Sequence, residues 1–462
     1  MDYKTFLNGK AQVGSASGFD PVWMPDFLFD FQRTLVDWAV RKGRAAIFAD
    51  CGLGKTPMQL VWAQNVHKHT GKRVLILTPL AVGGQTVREA HKFGIDAAQS
   101  RDGKLDAPIT VTNYEKLHLF KPEDFGGVVC DESSILKNFA GTRRTEITAF
   151  MQAVRYRLLA TATPAPNDWI ELGTSSEALS YMRRVEMLAM HFTHDGGDTQ
   201  KWRLRGHAQQ AFWRWMATWA RAVRRPSDIS GDDASMVLPP LEVRESVINV
   251  GRRLPGHLFI KPAETLEEQR QERRLTLGDR CERVAQLVAH DQPAVAWCHL
   301  NDESAMLATL IPDAVEVSGA DDDDRKEEVF AAFSAREIRV LITKPSIAGF
   351  GLNWQHCSHQ TFFPSHSFEQ YYQAVRRSWR FGQKQTVRVD LVTTEGERGV
   401  LENMQRKQRE ADAMFASMVA HMNSAAAPQR NIHNNEMERP SWLSKNKPSQ
   451  NTSPRTMETA SK

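Results

Sequence analysis

Residues 49–56 read Ala-Asp-Cys-Gly-Leu-Gly-Lys-Thr, between an apolar run at 45–50 and an amphipathic stretch at 56–70. The run predicts a buried strand and the stretch predicts a helix. A glycine-rich loop in this setting can surround a phosphate with backbone N–H groups, and the helix N-terminus adds a favourable potential for an anion. Gly52 and Gly54 supply the positive φ and the close approach that such a loop needs.

Two side chains at the end of this loop suit a nucleotide. We expect Lys55 to reach the β- and γ-phosphates and the Thr56 hydroxyl to bind Mg²⁺. The same residues also fit a glycine turn that only joins a strand to a helix. The loop by itself therefore leaves both interpretations open.

A second segment carries two adjacent carboxylates after an apolar strand, in the order Val128-Val129-Cys130-Asp131-Glu132. At the carboxyl edge of a parallel sheet these side chains would lie beside the phosphate loop. Asp131 is predicted to hold Mg²⁺ through a water, and Glu132 to orient and deprotonate the attacking water. An isolated Asp-Glu pair is usually a solvated turn, but downstream of a phosphate loop it indicates a nucleotide hydrolase.

Short β-branched runs alternate with helical patterns in both halves of the chain, which predicts two α/β domains with parallel sheets. The predicted strands are 45–50, 73–80, 109–114, 127–132, 156–163, 294–300, 314–319, 339–344, 359–365 and 387–393.

Between the two halves, residues 175–240 are rich in Trp and Arg and show no strand pattern, which predicts a helical interlude. Its apolar residues recur every three or four positions, as on one helix face; they are Phe212, Trp215, Trp219 and Val223. The interlude could pack on the first domain or form a basic ledge for a nucleic-acid backbone. Residues 261–290 look helical, and beyond about 424 the composition predicts disorder.

A third segment, residues 373–383, reads QAVRRSWRFGQ. Arg377 and Arg380 are three apart and are predicted to project from one helix face, where they could stabilise charge on a transferring γ-phosphoryl group. Arg376 is predicted to point elsewhere on that helix. A basic surface helix is the alternative.

Together these segments resemble the helicase superfamily two ATPases, and within them the Snf-type branch, with some similarity to compact phage- or prophage-encoded members. The resemblance covers roughly 25–415 in the family's motif order. Its segments are Phe31-Gln32, ADCGLGKT, TPLAVGG (78–84), TVTNYEKL (110–117), DESSILKN (131–138), LLATATPAPNDWIEL (158–172), ITKPSIAGFGLNW (342–354) and QAVRRSWRFGQKQTVRV (373–389).

The resemblance implies two RecA-like lobes that bind ATP and Mg²⁺ in the cleft between them. It makes Gln32 the adenine-reading residue and adds Gly351 to the nucleotide-binding residues. It also implies contacts to nucleic acid from Thr112, Thr343 and Lys344. Phosphate contacts carry no sequence information, so binding should be sequence-independent and salt-sensitive.

The expected organisation has five parts in chain order. These are an N-terminal extension (1–24), a first RecA-like lobe (25–174), a helical insertion and linker (175–274), a second lobe (275–420) and a disordered basic tail (421–462).

The sequence departs from the family pattern at Ser133-Ser134, which replace the Ala-His of a DEAH box, so we expect a different coupling between the ATP site and the second lobe. The function expected is an ATP-driven translocase on duplex DNA, with little strand separation because no hairpin with an aromatic tip is evident. A nucleic-acid-binding or scaffold protein with a degenerate ATPase, and a strand-separating DNA or RNA helicase, are the alternatives.

The composition fits an ordinary globular protein, with 462 residues, 41% hydrophobic and 25% charged residues and a formal net charge of +4. No secretory signal and no apolar run of membrane-spanning length is evident, so we expect a cytoplasmic protein of a bacterial or phage-infected cell with no membrane partner. The five cysteines show no zinc-ribbon spacing. The sequence leaves the oligomeric state open and permits a monomer.

Overall fold

A computed structural model of the chain gives the fold. It describes residues 16–137, 141–165, 168–195, 198–249, 266–348, 352–365 and 367–426. Asn138, Gly351 and the tail beyond Ala426 lie outside the described residues. The expectations for these positions, including a nucleotide contact at Gly351, therefore remain predictions.

The first lobe is built on a parallel sheet with the strand order β3-β4-β2-β5-β6-β1-β9. Its strands are β1 (Arg44–Ala49), β2 (Arg73–Thr78), β3 (Ala97–Gln99), β4 (Ile109–Asn113), β5 (Phe125–Asp131), β6 (Tyr156–Thr161) and β9 (Ala220–Val223). Its helices are α1 (Asp30–Lys42), α2 (Lys55–Thr70), α3 (Gly83–Lys92), α4 (Thr142–Ala153), α5 (Leu172–Ala178), α6 (Arg184–His191) and α7 (Gln209–Ala217). A separate antiparallel pair is formed by β7 (Phe192–Asp195) and β8 (Asp198–Leu204).

The second lobe has a parallel sheet with the strand order β10-β15-β14-β11-β13-β12. Its strands are β10 (Leu241–Ile248), β11 (Ala294–Trp297), β12 (Ala314–Val317), β13 (Val340–Thr343), β14 (His359–Phe362) and β15 (Val387–Thr394). Its helices are α8 (Leu266–Leu275), α9 (Leu277–Leu287), α10 (Asn301–Leu310), α11 (Asp323–Ser334), α12 (Pro345–Ala348), α13 (Phe368–Val375) and α14 (Arg398–Ala426).

These two sheets confirm the predicted fold class of two RecA-like α/β lobes. Helices cover both faces of the first sheet, and successive residues of one strand enter different cores. Phe48 and Leu75 pack in one buried cluster, whereas Ile47 and Val74 pack in the other. Burial on both faces explains why the strands read as continuous apolar runs rather than as an alternating pattern.

The expectation that residues 175–240 are all helical is wrong. Besides α5, α6 and α7, this stretch contains the β7–β8 hairpin and strand β9, which pairs in parallel with β1. The first sheet therefore takes its last strand from beyond the expected lobe boundary at 174. The sequence of β9, Ala-Arg-Ala-Val, has a single β-branched residue, and Trp219 continues the helical spacing only by coincidence because α7 ends at Ala217.

Two features of the second lobe also differ from the expected organisation. Leu241–Ile248, expected within the linker, is the edge strand β10 and pairs with β15 along its whole length. Most of its side chains are exposed, so this strand lacks the apolar run that predicts a buried strand. Helix α14 continues to Ala426 and buries Met422, so the described chain is ordered past the expected tail boundary at 421.

Helix α14 belongs to the cores of both lobes. Near its start, Leu401 and Met404 pack in a core of the second lobe, and further along, Phe415 and Met418 pack in a core of the first lobe. None of the described helices has the length and apolar character that a membrane span requires.

Candidate functional site

The loop between β1 and α2 has the backbone of a phosphate cradle. Gly52 and Gly54 adopt φ of +88° and +73°, which side-chain-bearing residues rarely reach. Gly54 is the N-cap of α2, so the free N–H groups of that helix point toward the loop. The Lys55 ammonium donates to the backbone oxygen of Ala49 at 3.2 Å and so spans the loop.

The two predicted carboxylates lie at the carboxyl end of β5. Asp131 accepts a hydrogen bond from the Gln59 side chain at 2.6 Å, and Glu132 accepts one from the Thr161 hydroxyl at 3.2 Å. Burial, together with the neighbouring charge of Glu132, raises the pKa of Asp131 to about 6. Glu132 has a φ of +50°, which is unusual for a residue other than glycine and marks a backbone held in place by its surroundings.

A cleft of about 1350 Å³ brings most of the predicted nucleotide-site residues together. The first lobe contributes Gln32, Gly52, Gly54, Lys55, Thr56, Asp131 and Glu132, and the second lobe contributes Arg376, Arg377 and Arg380. Two carboxylates, a lysine, a hydroxyl and three guanidinium groups thus face one space.

Arg377 and Arg380 converge in this cleft, but the predicted reason is wrong. Helix α13 ends at Val375, so the two residues lie in the following turn rather than on one helix face. Their guanidinium groups both donate to the backbone oxygen of Leu352, at 3.2 and 3.0 Å. Burial lowers the pKa of Arg377 to about 10 and lowers that of Arg380 as well, which shows a pocket that would favour an anion beside them.

Arg376, predicted to point elsewhere on its helix, faces the cleft as well. Its guanidinium forms an ion pair with Asp50 of the phosphate loop at 2.8 Å, and Tyr372 donates a hydrogen bond to the same carboxylate. Burial by itself would lower the pKa of Arg376, but Asp50, Tyr372 and Cys51 together outweigh burial and raise this pKa. The sequence signal for this contact is a combination of two features, an acidic residue inside the phosphate loop and a third arginine beside the expected pair.

Another set of inter-lobe contacts lies near Glu132. The Thr163 hydroxyl donates to Glu369 at 3.5 Å and accepts from Gln373 at 3.4 Å, and Lys137 forms an ion pair with Glu369. Thr163 also donates its backbone N–H to the same Thr161 hydroxyl that binds Glu132, so a continuous set of contacts connects the carboxylate to α13.

Gln32 joins α1 to the phosphate loop. Its side-chain N–H donates to the backbone oxygen of Leu53 at 2.9 Å, and its side-chain oxygen accepts from the backbone N–H of Phe29 at 3.0 Å. Phe29 and Phe381, which are 39% and 37% exposed, face each other across the cleft with ring centroids 6.1 Å apart. An aromatic ring from each lobe thus stands beside Gln32.

The structure does not bring the expected nucleic-acid contacts to the surface together. The side chains of Thr112 and Thr343 are buried and donate to the backbone oxygens of Ser100 and Val317. Each hydroxyl is used inside its own sheet in this arrangement, and contacts from these two threonines to nucleic acid stay a prediction. Lys344 is partly exposed and donates to the side chain of Asn301.

A second groove between the lobes has basic side chains from both lobes in its lining, namely Lys137, Arg143, Arg144 and Lys326. Each of them forms an ion pair with an acidic residue, and the groove is also lined by Glu115, Glu132, Asp323, Glu327 and Glu369.

The β7–β8 hairpin lies between the motifs, but its Trp202 is partly buried and packs against the core of the first lobe, so the expectation that no hairpin with an aromatic tip interrupts the motifs stays a prediction. His194 and Trp202 face each other across its strands, with ring centroids 3.9 Å apart. At its base Phe192 is buried in the first lobe's core and Leu204 packs against it.

The site residues suit a nucleoside triphosphate bound together with Mg²⁺. Glycines with positive φ form a cradle for phosphate, and the Nε groups of Arg376 and Arg380 are buried without a hydrogen-bond partner. Thr56 and Asp131 offer the oxygen ligands that Mg²⁺ prefers. No set of three or more His, Cys, Asp or Glu side chains suited to a metal occurs among the described residues.

Comparison with known proteins gives a fold likeness. No protein-family profile and no curated protein matches the sequence. A solved structure of Dbp5 from S. cerevisiae, bound to RNA and ADP BeF3, is similar over 85% of this chain and 98% of that chain, at 11% identity and a TM-score of 0.55. A variant of the same protein with the same ligands is similar over 87% and 100%, at 12% identity and a TM-score of 0.55. This likeness shows the fold, two RecA-like lobes.

Proposed function

We propose that this chain is a nucleic-acid-dependent ATPase that uses ATP with Mg²⁺ in the cleft between its lobes. The observation that carries the proposal is the meeting, in one cleft, of a phosphate cradle and two carboxylates from the first lobe with the arginines of the second. The likeness to two structures that contain RNA and ADP BeF3 supports a fold able to hold both kinds of ligand.

In this proposal each first-lobe residue has one task. The backbone around Gly52 and Gly54 binds phosphate, and Lys55 leaves Ala49 to pair with the β- and γ-phosphates. Thr56 and Asp131 hold the metal, which when bound would neutralise charge on the phosphates. Glu132, fixed by Thr161, accepts the proton of the attacking water.

The second lobe supplies charge to the reacting phosphate. Arg377 and Arg380 are directed by their shared contact with the Leu352 oxygen, and both are held where negative charge would develop. A guanidinium that binds the transition state more strongly than it binds ATP raises the turnover rate rather than the affinity for ATP. Because these arginines lie on the second lobe, hydrolysis depends on closure of the cleft.

For the nucleic acid we propose duplex DNA held through its phosphates along the inter-lobe groove. The groove offers basic side chains from both lobes, whose present partners are acids that DNA phosphates would replace, and Glu132 is among its lining residues, so an occupant could influence the hydrolytic site. Lys344 remains a candidate contact. Binding through phosphates would be independent of sequence and would weaken with salt.

The experiment measures the ATPase rate side by side with no nucleic acid, single-stranded DNA, duplex DNA and RNA. Stimulation that is strongest with duplex DNA supports the proposal. Stimulation only by RNA would make the protein an RNA-dependent ATPase. Nucleic-acid binding without turnover in any mixture would instead support a binding protein with a degenerate ATPase.

Strand separation is a second candidate function, for which the β7–β8 hairpin is the candidate wedge because it carries the exposed His194 beside the partly buried Trp202. Separating a base-pair step costs a few kcal/mol, so a wedge must be inserted to offset it. Displacement of a third strand from a triplex reports translocation, and release of a strand from a forked duplex reports unwinding. ATP-dependent triplex displacement alone supports a translocase, whereas fork unwinding that is lost in W202A supports the second candidate.

A further inference from the structure

The Asp50–Arg376 pair is a contact between the lobes that the proposed ATPase chemistry does not require. Asp50 is in the phosphate loop, and Arg376 follows the end of α13 in the second lobe. The two side chains are 14% and 8% exposed, so water screens their charges only weakly. Such a pair has a specific location, at the point where the phosphate loop meets the other lobe.

Three donors converge on the Asp50 carboxylate. One oxygen accepts from the Arg376 guanidinium at 2.8 Å, and the other accepts from the Cys51 backbone N–H at 2.6 Å and from the Tyr372 hydroxyl. The Asp50 backbone N–H in turn donates to Val223 of β9 at 3.0 Å. Asp50 therefore connects the phosphate loop to β9 through its backbone and to α13 and the turn after it through its carboxylate.

The second lobe also lies directly against the loop at the next glycine. A Cβ placed on Gly52 would come within 2.8 Å of the Phe381 backbone nitrogen. The turn that begins with Arg376 thus rests on the phosphate loop, and the guanidinium is held above the Trp379 ring at 4.3 Å from its centroid. Arg376 is fixed by these contacts and is not a mobile surface residue.

An acid inside a phosphate-binding loop presents an electrostatic problem. An unpaired carboxylate beside the phosphates would repel them, because like charges in a weakly screened site disfavour each other. Arg376 removes this repulsion when the lobes are together. Closure thereby converts a loop with one negative side chain into a loop that is locally neutral.

We propose that Arg376 is a positioning residue that acts through Asp50, so that affinity for ATP depends on the second lobe covering the phosphate loop. The proposal rests on the ATPase function above. It differs from the roles of Arg377 and Arg380, which concern turnover. Arg376 is expected to affect the Kd and KM for ATP, with a smaller effect on kcat at saturating ATP.

The test is a double-mutant cycle of R376Q and D50N, read by titration with a fluorescent ATP analogue in Mg²⁺ and by steady-state ATPase kinetics. R376Q should raise the Kd for the nucleotide by about tenfold or more, the size expected for one weakly screened charge. R376K keeps the charge and should retain most of the affinity. R398Q, at an arginine that is 75% exposed on α14, is the matched control and should bind like the wild type.

The decisive comparison is D50N/R376Q with D50N. Affinities within about twofold of each other support the proposal, because without the acid Arg376 has nothing to neutralise. A tenfold loss in the double variant relative to D50N overturns it and makes Arg376 a direct phosphate ligand. This comparison holds even if R376Q alone fails to fold. Absence of nucleotide binding by the wild-type protein would instead refute the proposed ATPase function.

Discussion

Glu132→Gln separates ATP binding from ATP hydrolysis. Glu132 is 6% exposed, and its side-chain oxygen accepts from the Thr161 hydroxyl at 3.2 Å. Glutamine has the same size and retains an oxygen for that hydrogen bond, so the local structure should persist. What is lost is the ability to accept a proton from water.

The expected effect on turnover is large and specific. Loss of a general base lowers kcat by about 10² to 10⁴, which corresponds to about 3–5 kcal/mol of activation free energy. The charge of Glu132 helps to raise the pKa of Asp131, so its removal lowers that pKa and leaves Asp131 at least as able to bind Mg²⁺. The Kd for ATP should therefore stay within about threefold of the wild-type value.

The assay pairs phosphate release with nucleotide titration on the same preparation, and a thermal melt checks folding. Glu402→Gln, at a residue that is 67% exposed on α14, is the matched control and should retain full activity. If Glu132→Gln hydrolyses ATP at the wild-type rate, Glu132 is not the base. If kcat and affinity fall together, the substitution has disturbed the cleft and the reasoning fails as well.

Three further predictions address the cleft and the second lobe. Arg380→Ala should lower kcat by about 10³ or more with a much smaller change in ATP affinity, measured by the same two assays; equal losses would contradict a transition-state role. Gly52→Ala should lower ATPase activity at least tenfold, because φ is +88° and the new Cβ meets the second lobe. Gly71→Ala, at φ +69° with open space around it, should lower the free energy of unfolding by about 1–2 kcal/mol and leave the ATPase activity unchanged. Arg280→Met should lower the free energy of unfolding by about 3–5 kcal/mol in urea melts, since it leaves the fully buried Glu303 carboxylate without its ion-pair partner; a wild-type midpoint would refute this estimate.

The local signals in the sequence were sufficient for the fold class and for most of the candidate residues that the structure brings together in one cleft. A phosphate cradle depends on residue types at fixed spacing, because Gly52, Gly54 and Lys55 act through one short loop between a strand and a helix. Asp131 and Glu132 are placed by the rule that parallel strands end at one edge of the sheet. Strands that are buried on both faces can also be recognised in the sequence, because their residues are apolar throughout.

Edge strands escaped the sequence analysis for the opposite reason. β10 exposes most of its side chains, and β9 has a single β-branched residue, so neither carries the apolar run that marks a central strand. Their place is set by hydrogen bonding to a neighbour that is distant in sequence. The pairing of β7 with β8 was also not predicted, because the apolar residues near the hairpin have helical spacing.

The contacts between the lobes were decided by tertiary structure. Arg376 was expected to point away from Arg380, an inference that required α13 to continue; the helix ends at Val375 instead, and the turn directs three arginines into the cleft. Thr112 and Thr343 have suitable hydroxyls, yet each is used within its own sheet. Periodicity along a chain indicates which side of an element is apolar. An ion pair such as that of Asp50 with Arg376 depends instead on how the two lobes pack together, and the spacing of residues within either segment holds no information about that packing.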